Sequence, residues 1–486
     1  MTRQVDWILR LFCLGPLFEC LRPGLLRGAA LAFETGGLLE AGSTYWAAAP
    51  AARWASYGFC LAIVLLGPRR TLLGGLAVAQ VIDVALAISH NTLSSGYAEK
   101  GLLVLFSCGV AGMAWLDQGE PEERDARMHS LMRALAGVAF AFVALNKTNA
   151  DFLDPIVSCS RNLMAELGDR IPFAAPFAAM TEGEAWVSWL MEALLLPLLL
   201  LLPRIGPIYV FGFFMGVALV GPRATCFIFM ALSLTFLPKG DFDRVQLDAR
   251  WLRILAALAL VISSVFWMVA LDDARRFAPS QLISRVGFMS IVLVALALLA
   301  RNAWKRPLRE PQGTSVWRGA PIPARAIAAS ILALLFLNEL SPYLGLKSKY
   351  SLTMWSNLRT DESRSNSFVF PEALRFSQRA DRALLQVVSI RPLDPGVVPP
   401  NRDGRRPTGL MPFVASHGTA MARLRQMESA FGALQVELLW GAERQQFTGV
   451  GADSEFEAFI AATRPRVDWF DGRVMAHARP QLCLGP

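Results

Sequence analysis

Long apolar runs separated by short polar loops fill the first two thirds of the chain. A membrane-spanning helix needs about 20 mostly apolar residues. Such runs lie at 54–68, 71–90, 100–116, 130–147, 185–203, 206–221, 224–238, 252–270, 286–300 and 325–341, and a further one within 6–33 is interrupted by Arg10, Arg22 and Arg27. The pattern predicts an all-α polytopic membrane protein with about eleven transmembrane helices in a domain spanning 1–341.

The pattern changes after residue 341, where apolar runs shorten and Pro, Gly and charge increase. Residues 342–366 are predicted to form an outer interfacial segment, and 367–486 a small extracytoplasmic α+β region. A turn-rich connector is expected over 391–407. Helical spacing predicts a helix over 417–439 capped by Ser416, although 434–440 also fits a strand, and a short helix over 454–463 capped by Ser454.

Composition and loop charge agree with a membrane protein. The apolar fraction is 54% and the net charge is +8. The basic residues gather in loops such as 301–325 and at Arg69 and Arg70, so the positive-inside rule places these loops in the cytoplasm and gives no reason to expect nucleic acid as a partner. Alternation then puts the N-terminus inside, the acidic loop 148–184 outside and the C-terminus outside. We expect a bacterial inner (plasma) membrane and the lipid bilayer as partner.

Cysteine and histidine usage argues against a metal site. Five of the seven cysteines fall in apolar stretches, whereas Cys159 and Cys483 are predicted outside and could pair in an oxidising compartment. The four histidines are far apart in sequence. We therefore predict no metal. Gly212 and Gly216 form a Gly-x-x-x-Gly pattern that is typical of close helix packing.

Four ionisable residues among the apolar runs are the candidate functional residues: Asp83, His90, Lys147 and Glu192. Charged side chains in membrane helices are costly and often functional. The predicted topology brings His90 and Lys147 to the outer face, where they are candidate catalytic residues. Asp83 and Glu192 are candidate supporting charges; the alternative is that they pair with Arg10, or with the lysine, and hold the helix bundle together. The alternative is that Lys147 is an anchor whose ammonium reaches the membrane surface.

Two segments carry a family resemblance. Residues 145–159 read Leu-Asn-Lys-Thr-Asn-Ala-Asp-Phe-Leu-Asp-Pro-Ile-Val-Ser-Cys, and residues 341–360 read Ser-Pro-Tyr-Leu-Gly-Leu-Lys-Ser-Lys-Tyr-Ser-Leu-Thr-Met-Trp-Ser-Asn-Leu-Arg-Thr. With the many-spanned layout, they resemble the horizontally transferred transmembrane domain (HTTM) family, which includes the vitamin K-dependent gamma-carboxylases. The resemblance covers roughly residues 5–366.

The resemblance implies a lyase-type carboxylase activity. In the carboxylases a lysine in the stretch matching Lys147 deprotonates vitamin K hydroquinone, and a histidine similar in place to His90 belongs to the site. It implies a reduced quinone of menaquinone or vitamin K type as cofactor, with the other cofactor-binding residues unknown. Oxidation of the quinol by O2 gives a strong base, which removes a glutamate proton before CO2 adds. Desolvation makes an amine a better base near neutral pH.

The chain departs from the carboxylases at two places. Phe214 is followed by Met215 where they have histidine, and the tail is shorter than their luminal region. Three functions therefore stay open: a carboxylase-like enzyme with a peptide or small-molecule acceptor on the outer side, a non-catalytic HTTM-fold protein that binds a partner through its outer C-terminal region, and a transporter.

Overall fold

The fold is mostly helical with a small antiparallel sheet near the C-terminus. The computed structural model describes residues 3–20, 44–90, 100–153, 158, 160, 183–220, 223–238, 297, 300, 316–344, 367–369, 384–393, 413–416, 424–425, 427–428, 432–440, 443–450, 454–463 and 475–476. The predicted spans 252–270 and 286–300 lie outside the described residues apart from single positions. The same holds for Cys159, Cys483, nearly all of the segment 342–366 and most of the connector 391–407.

The helices follow the apolar runs closely. They are α1 Arg3–Cys20, α2 Thr44–Leu66, α3 Arg70–His90, α4 Lys100–Leu116, α5 Pro121–Lys147, α6 Ala150–Leu153, α7 Glu184–Ala193, α8 Leu195–Leu201, α9 Gly206–Val220, α10 Arg223–Ser233, α11 Ile322–Leu340 and α12 Glu455–Thr463. Within the described part of the chain, two helices, α5 and α11, are long and apolar enough to cross a membrane, by length and composition alone.

The described residues belong to two compact units. Unit 1 comprises Met1–Val84, Leu102–Ala141 and Leu190–Phe336, and unit 2 comprises Ala85–Gly101, Phe142–Trp189 and Leu337–Pro486. In unit 1, α1 packs against α2 and α10, and α9 packs against α8 and α10. The aromatic rings of Phe214 and Phe229 stack with centroids 5.0 Å apart.

Helix α5 begins earlier than the apolar pattern predicts. The apolar run predicted as a span at 130–147 lies within α5, which starts earlier, at Pro121. Proline fits the first helical position, and the negative charges of Glu122 and Glu123 in the first turn interact favourably with the positive end of the helix dipole. The first turns of α5 are therefore a polar extension that hydropathy alone does not mark.

A buried ion pair closes the short connection between α4 and α5. Arg127 donates from Nε to Asp117 Oδ2 at 2.6 Å and from Nη2 to Asp117 Oδ1 at 2.9 Å. Burial acts to raise the pKa of Asp117, but the hydrogen bonds from Arg127 and the Gly119 N–H, with the charges of Arg127 and Arg124, lower it overall. The carboxylate is thus held ionised in an apolar setting.

The predicted span at 185–203 is two helices, α7 and α8, with a break at Leu194. Pro197 has no N–H to donate to the carbonyl of Ala193, so one helical hydrogen bond is missing where α7 ends. The Gly212 and Gly216 pattern in α9 is not used for close packing among the described residues. A Cβ added at either glycine meets nothing within 4 Å.

The C-terminal part of unit 2 contains a five-stranded antiparallel sheet in the order β4-β3-β1-β2-β5. The strands are β1 Leu384–Pro392, β2 Phe413–Ser416, β3 Leu434–Trp440, β4 Glu443–Thr448 and β5 Met475–Ala476. The alternative prediction of a strand over 434–440 is confirmed as β3, so the C-terminal end of the helix predicted over 417–439 is wrong. Within that range, residues 424–425 and 427–428 are helical. Alternating burial of Leu434, Val436 and Leu438 explains the strand.

Helix α12 packs on this sheet. The rings of Phe456 and Phe447 meet edge to face, with centroids 5.4 Å apart. The predicted cap is confirmed, because Glu457 N donates to Ser454 Oγ at 3.2 Å. An α+β C-terminal region is therefore present.

Candidate functional site

The two segments that carry the family resemblance meet in unit 2. Tyr343 Oη donates a hydrogen bond to Asn146 Oδ1 at 2.6 Å, across 197 residues of sequence. Asn146 is completely buried and Tyr343 is 3% exposed. Asn146 lies in the last turn of α5, and Tyr343 lies in the turns that follow α11. The hydrogen bond therefore joins the C-terminal ends of two helices directly beside Lys147.

A chain of contacts leads from Asn146 to the ammonium of Lys147. Asn149 Nδ2 donates to the carbonyl oxygen of Asn146 at 2.8 Å. Asn149 Oδ1 accepts from Phe152 N at 2.9 Å, as an N-cap residue does for the third residue of a helix, so it caps α6. Lys147 Nζ lies over the Phe152 ring, 5.5 Å from the centroid. A cation in this position is attracted by the negative face of the ring.

Thr148 links this turn to α7 and to the segment after α11. Its Oγ1 donates to Ala144 O at 2.9 Å and accepts from Trp189 Nε1 at 2.9 Å. Its carbonyl oxygen accepts from Phe368 N at 3.1 Å, and Asn149 bridges to Ser367 in antiparallel fashion. The turn after Lys147 is thus held by backbone and side-chain bonds from two other parts of unit 2.

A buried acid lies near Tyr343. Glu339 is completely buried and accepts from Asn338 Nδ2 at 2.8 Å. Burial raises the pKa of Tyr343 well above its usual range, and the negative charge of Glu339 raises it further. The phenol therefore stays protonated and remains a donor to Asn146 across the physiological pH range.

The four residues singled out from the sequence are placed as follows. Lys147 ends α5 in unit 2 and is half-buried. His90 ends α3 in the same unit, but its side chain lies outside the described part of the structure. Asp83 and Glu192 are buried in unit 1. Convergence of Lys147 and His90 on one cavity stays a prediction.

Arg10, which the sequence offered as an alternative partner for Asp83 and Glu192, bonds to Asp6 and Val64. Arg10 Nε donates to Asp6 Oδ2 at 2.8 Å, and its Nη1 donates to the Val64 carbonyl at 2.6 Å. Arg10 thus satisfies a carbonyl at the end of α2 and pairs with an acid one turn earlier on its own helix. Among the described residues, no cluster of three or more His, Cys, Asp or Glu side chains is placed to hold a metal ion.

Sequence reasoning did not single out Asn146, Asn149, Tyr343, Glu339 or Trp189. The signal for three of them was present, because Asn146, Asn149 and Tyr343 stand in the two segments that carry the resemblance. Ionisable side chains drew attention because their cost in a membrane is large. Neutral amides and phenols carry no comparable signal, and their pairing across 197 residues becomes visible in the fold.

The comparisons with known proteins give no further identification. No protein-family profile, no curated protein and no solved structure matches the chain. The resemblance to the HTTM family stays a prediction from the two sequence segments.

Proposed function

We propose that the chain is a membrane enzyme of carboxylase-like type, which uses a reduced quinone at a site around Lys147. The observation that carries the proposal is the buried hydrogen bond between Tyr343 and Asn146. It places the two segments of the HTTM resemblance against each other beside the candidate base. Buried polar groups are costly unless they are paired, so this bond favours one arrangement of the two segments at the turn that carries Lys147.

Lys147 is the proposed general base. As a free amine it accepts one proton from a phenolic hydroxyl and becomes an ammonium. The described neighbour of Nζ is the Phe152 ring, whose centroid lies 5.5 Å away. His90 is the proposed acid–base partner from α3, and Asp83 and Glu192 are proposed supporting charges.

The group near Lys147 that suits a quinol is the half-buried amine itself, because a phenolic diol needs a base near its hydroxyl. The Phe152 ring is 1% exposed and lies under Nζ, so it supports the amine and offers no face on which the diol could stack. When bound, a reduced quinone would be oxidised by O2 to its epoxide, with one oxygen atom of O2 entering the epoxide and the other leaving as water. The acceptor is proposed to be a peptide or small molecule on the outer side.

The membrane layout belongs to the same proposal. We propose about eleven spans in a bacterial inner membrane, with the N-terminus in the cytoplasm and the sheet domain outside. The strongly apolar helices α5 and α11 support this layout. The exposed apolar side chains Leu334, Phe336 and Leu337 on α11 also support it, because a lipid-facing helix surface has this composition.

The test is turnover of purified full-length protein in lipid nanodiscs. Reduced menaquinone or vitamin K, O2 and labelled bicarbonate are added, and quinone epoxide and O2 consumption are measured for the wild type, Lys147→Ala and Tyr209→Phe. Epoxide formation that is lost in Lys147→Ala and kept in Tyr209→Phe supports the proposal. Absence of any quinone-dependent O2 consumption in the wild type contradicts it.

A second candidate function is a non-catalytic HTTM-fold protein that binds a partner through its outer C-terminal region. The contact of Lys147 with Phe152 favours it, because a cation held on a ring is also what an interfacial anchor makes. In that case Lys147→Ala lowers stability without removing any turnover. The nanodisc measurement separates the two functions when the apparent Tm of each variant is recorded alongside.

A further inference from the structure

The Lys147 ammonium lies over the ring of Phe152, at the turn where α5 ends. Lys147 is followed by Thr148, whose N–H donates to Leu145 O at 3.0 Å, so α5 ends in a tight turn. A lysine at such a helix end has four rotatable side-chain bonds, and its charged group sweeps a wide volume unless neighbouring groups restrict it. The neighbours that restrict it here are identifiable.

We propose that Tyr343 is a positioning residue for Lys147, acting through Asn146, Asn149 and Phe152. This inference rests on the proposed function, in which Lys147 is the base. Tyr343 acts by fixing the turn from which Phe152 projects, and the Phe152 ring is the one that lies under the Lys147 ammonium.

The relay has three links. The Tyr343 hydroxyl fixes the side-chain amide of Asn146 through the 2.6 Å bond. The backbone carbonyl of Asn146 then accepts from Asn149, at 2.8 Å. Asn149 in turn caps α6, which carries Phe152 at its third residue.

Burial makes the relay stiff. Asn146 and Asn149 are completely buried, and Phe152 is 1% exposed. Each polar atom in the relay that loses its partner has no water to replace it, so alternative arrangements are disfavoured. Burial, and after it the negative charge of Glu339, raise the pKa of Tyr343, so its hydroxyl stays protonated and remains a donor to Asn146.

Removing the Tyr343 hydroxyl is expected to change the surroundings of the Lys147 ammonium. When the Tyr343 hydroxyl is removed, Asn146 and the turn lose their fixed arrangement, and the Phe152 ring no longer stays under Lys147 Nζ. The amine then becomes more accessible to a water-soluble acylating reagent. The same result follows when the relay is cut at Asn149.

The test is the rate of Lys147 acylation by acetic anhydride, read by mass spectrometry across pH on full-length protein in nanodiscs. Tyr343→Phe and Asn149→Ala are compared with the wild type and with Tyr209→Phe, which deletes a phenol hydroxyl bonded to the Met191 carbonyl. We expect several-fold faster acylation of Lys147 in both relay variants and an unchanged rate in Tyr209→Phe. Near-UV circular dichroism reports whether each variant is folded.

An unchanged Lys147 acylation rate in a folded Tyr343→Phe protein overturns the proposal. If Tyr343→Phe does not fold, Asn149→Ala decides by the same criterion, since it cuts a later link. Quinone turnover is measured in parallel. Faster Lys147 acylation in the relay variants with no quinone turnover in the wild type contradicts the proposed function and supports the positioning role. Wild-type turnover with an unchanged acylation rate in the relay variants supports the proposed function and contradicts the positioning role.

Discussion

The hydroxyl of Tyr343 donates to the side-chain oxygen of Asn146 at 2.6 Å, and neither residue has more than 3% of its surface exposed. This contact joins the ends of α5 and α11, the two helices of the described chain that are long and apolar enough to cross a membrane. Asn146 directly precedes Lys147 in the chain, so the hydrogen bond lies next to the charged residue that the sequence analysis singled out.

We predict that Tyr343→Phe lowers the free energy of unfolding by about 1–3 kcal/mol, because it leaves a buried amide oxygen of Asn146 without its donor. Tyr209→Phe should lower the free energy of unfolding by less than about 1 kcal/mol, because the Tyr209 hydroxyl donates to the Met191 carbonyl in an exposed bond. Unfolding in mixed micelles measures both values. Equal losses in the two variants would show that the Tyr343 bond is no more important than a surface contact.

The pair of Asp117 and Arg127 predicts an acid-sensitive step. Because the pKa of Asp117 is lowered in the folded state, the unfolded chain binds the proton first as the pH falls. The stabilisation is complete above about pH 4 and is lost as the pH drops through the lower folded value.

Asp117→Asn should therefore flatten the dependence of apparent Tm on pH below about pH 4. Glu123→Gln is the matched control, since Glu123 also bonds Arg127 but is 67% exposed, and it should leave most of the acid slope in place. Apparent Tm values across an acidic pH series provide the measurement. An Asp117→Asn protein with the wild-type slope would assign the acid sensitivity to other carboxylates.

Substituting Gly206, at the start of α9, by any residue with a Cβ is predicted to cause a steric clash. A Cβ there would lie 2.7 Å from Leu198 O and from the Leu199 Cα and N atoms, all of them backbone. Gly206→Ala should cost about 1–3 kcal/mol, because the backbone of α8 or α9 must move.

Gly212→Ala on the same helix is the control. A Cβ at Gly212 meets nothing within 4 Å among the described residues, so the change should gain about 0.5–1 kcal/mol from better helix propensity. The apparent Tm of each variant in nanodiscs measures the two changes in stability, which are predicted to have opposite signs. Loss of stability in Gly212→Ala would indicate that a helix packs on this face after all.

Ser454→Ala is predicted to loosen α12 by about 1 kcal/mol, because Glu457 N loses the oxygen that caps it. Ser454→Asp should preserve the cap, since a carboxylate also accepts from this N–H and suits the helix N-terminus. Hydrogen exchange of the α12 amides in the full-length protein reports the change. Protection that is the same in both variants would argue against the capping role.

The helices were predictable where length and hydropathy agree. Helices α3, α4, α9 and α11 match predicted apolar runs, because burying a long apolar run in lipid or in a bundle leaves few alternatives to a helix. The start of α5 was not predictable in this way. Its first turns are charged, and their signal is the proline and glutamates of a helix start.

The C-terminal region was predicted in outline and not in detail. The cap at Ser454 was found because capping is a local interaction. Residues 434–440 fitted both a helix and a strand, since a short apolar segment satisfies both periods, and pairing of β3 with β1 and β4 decides the matter. The local sequence does not contain the identity of a strand's partners.

The candidate site was predicted through Lys147 alone. The roles of His90, Asp83 and Glu192 stay predictions. The surroundings of Lys147 depend on Tyr343, Phe368 and Trp189, which approach from distant parts of the sequence. A single sequence reports which residues carry chemistry more readily than it reports which neutral groups position them.

Chemical rescue of Lys147→Ala tests the role of Lys147 as a base most directly. The variant is reconstituted in nanodiscs with reduced menaquinone and O2, and epoxide formation is followed as a small alkylamine such as ethylamine is added. The proposal predicts that epoxide formation is absent without the amine and returns in proportion to the free-base amine concentration. Wild-type rates of epoxide formation in Lys147→Ala without any amine would contradict it.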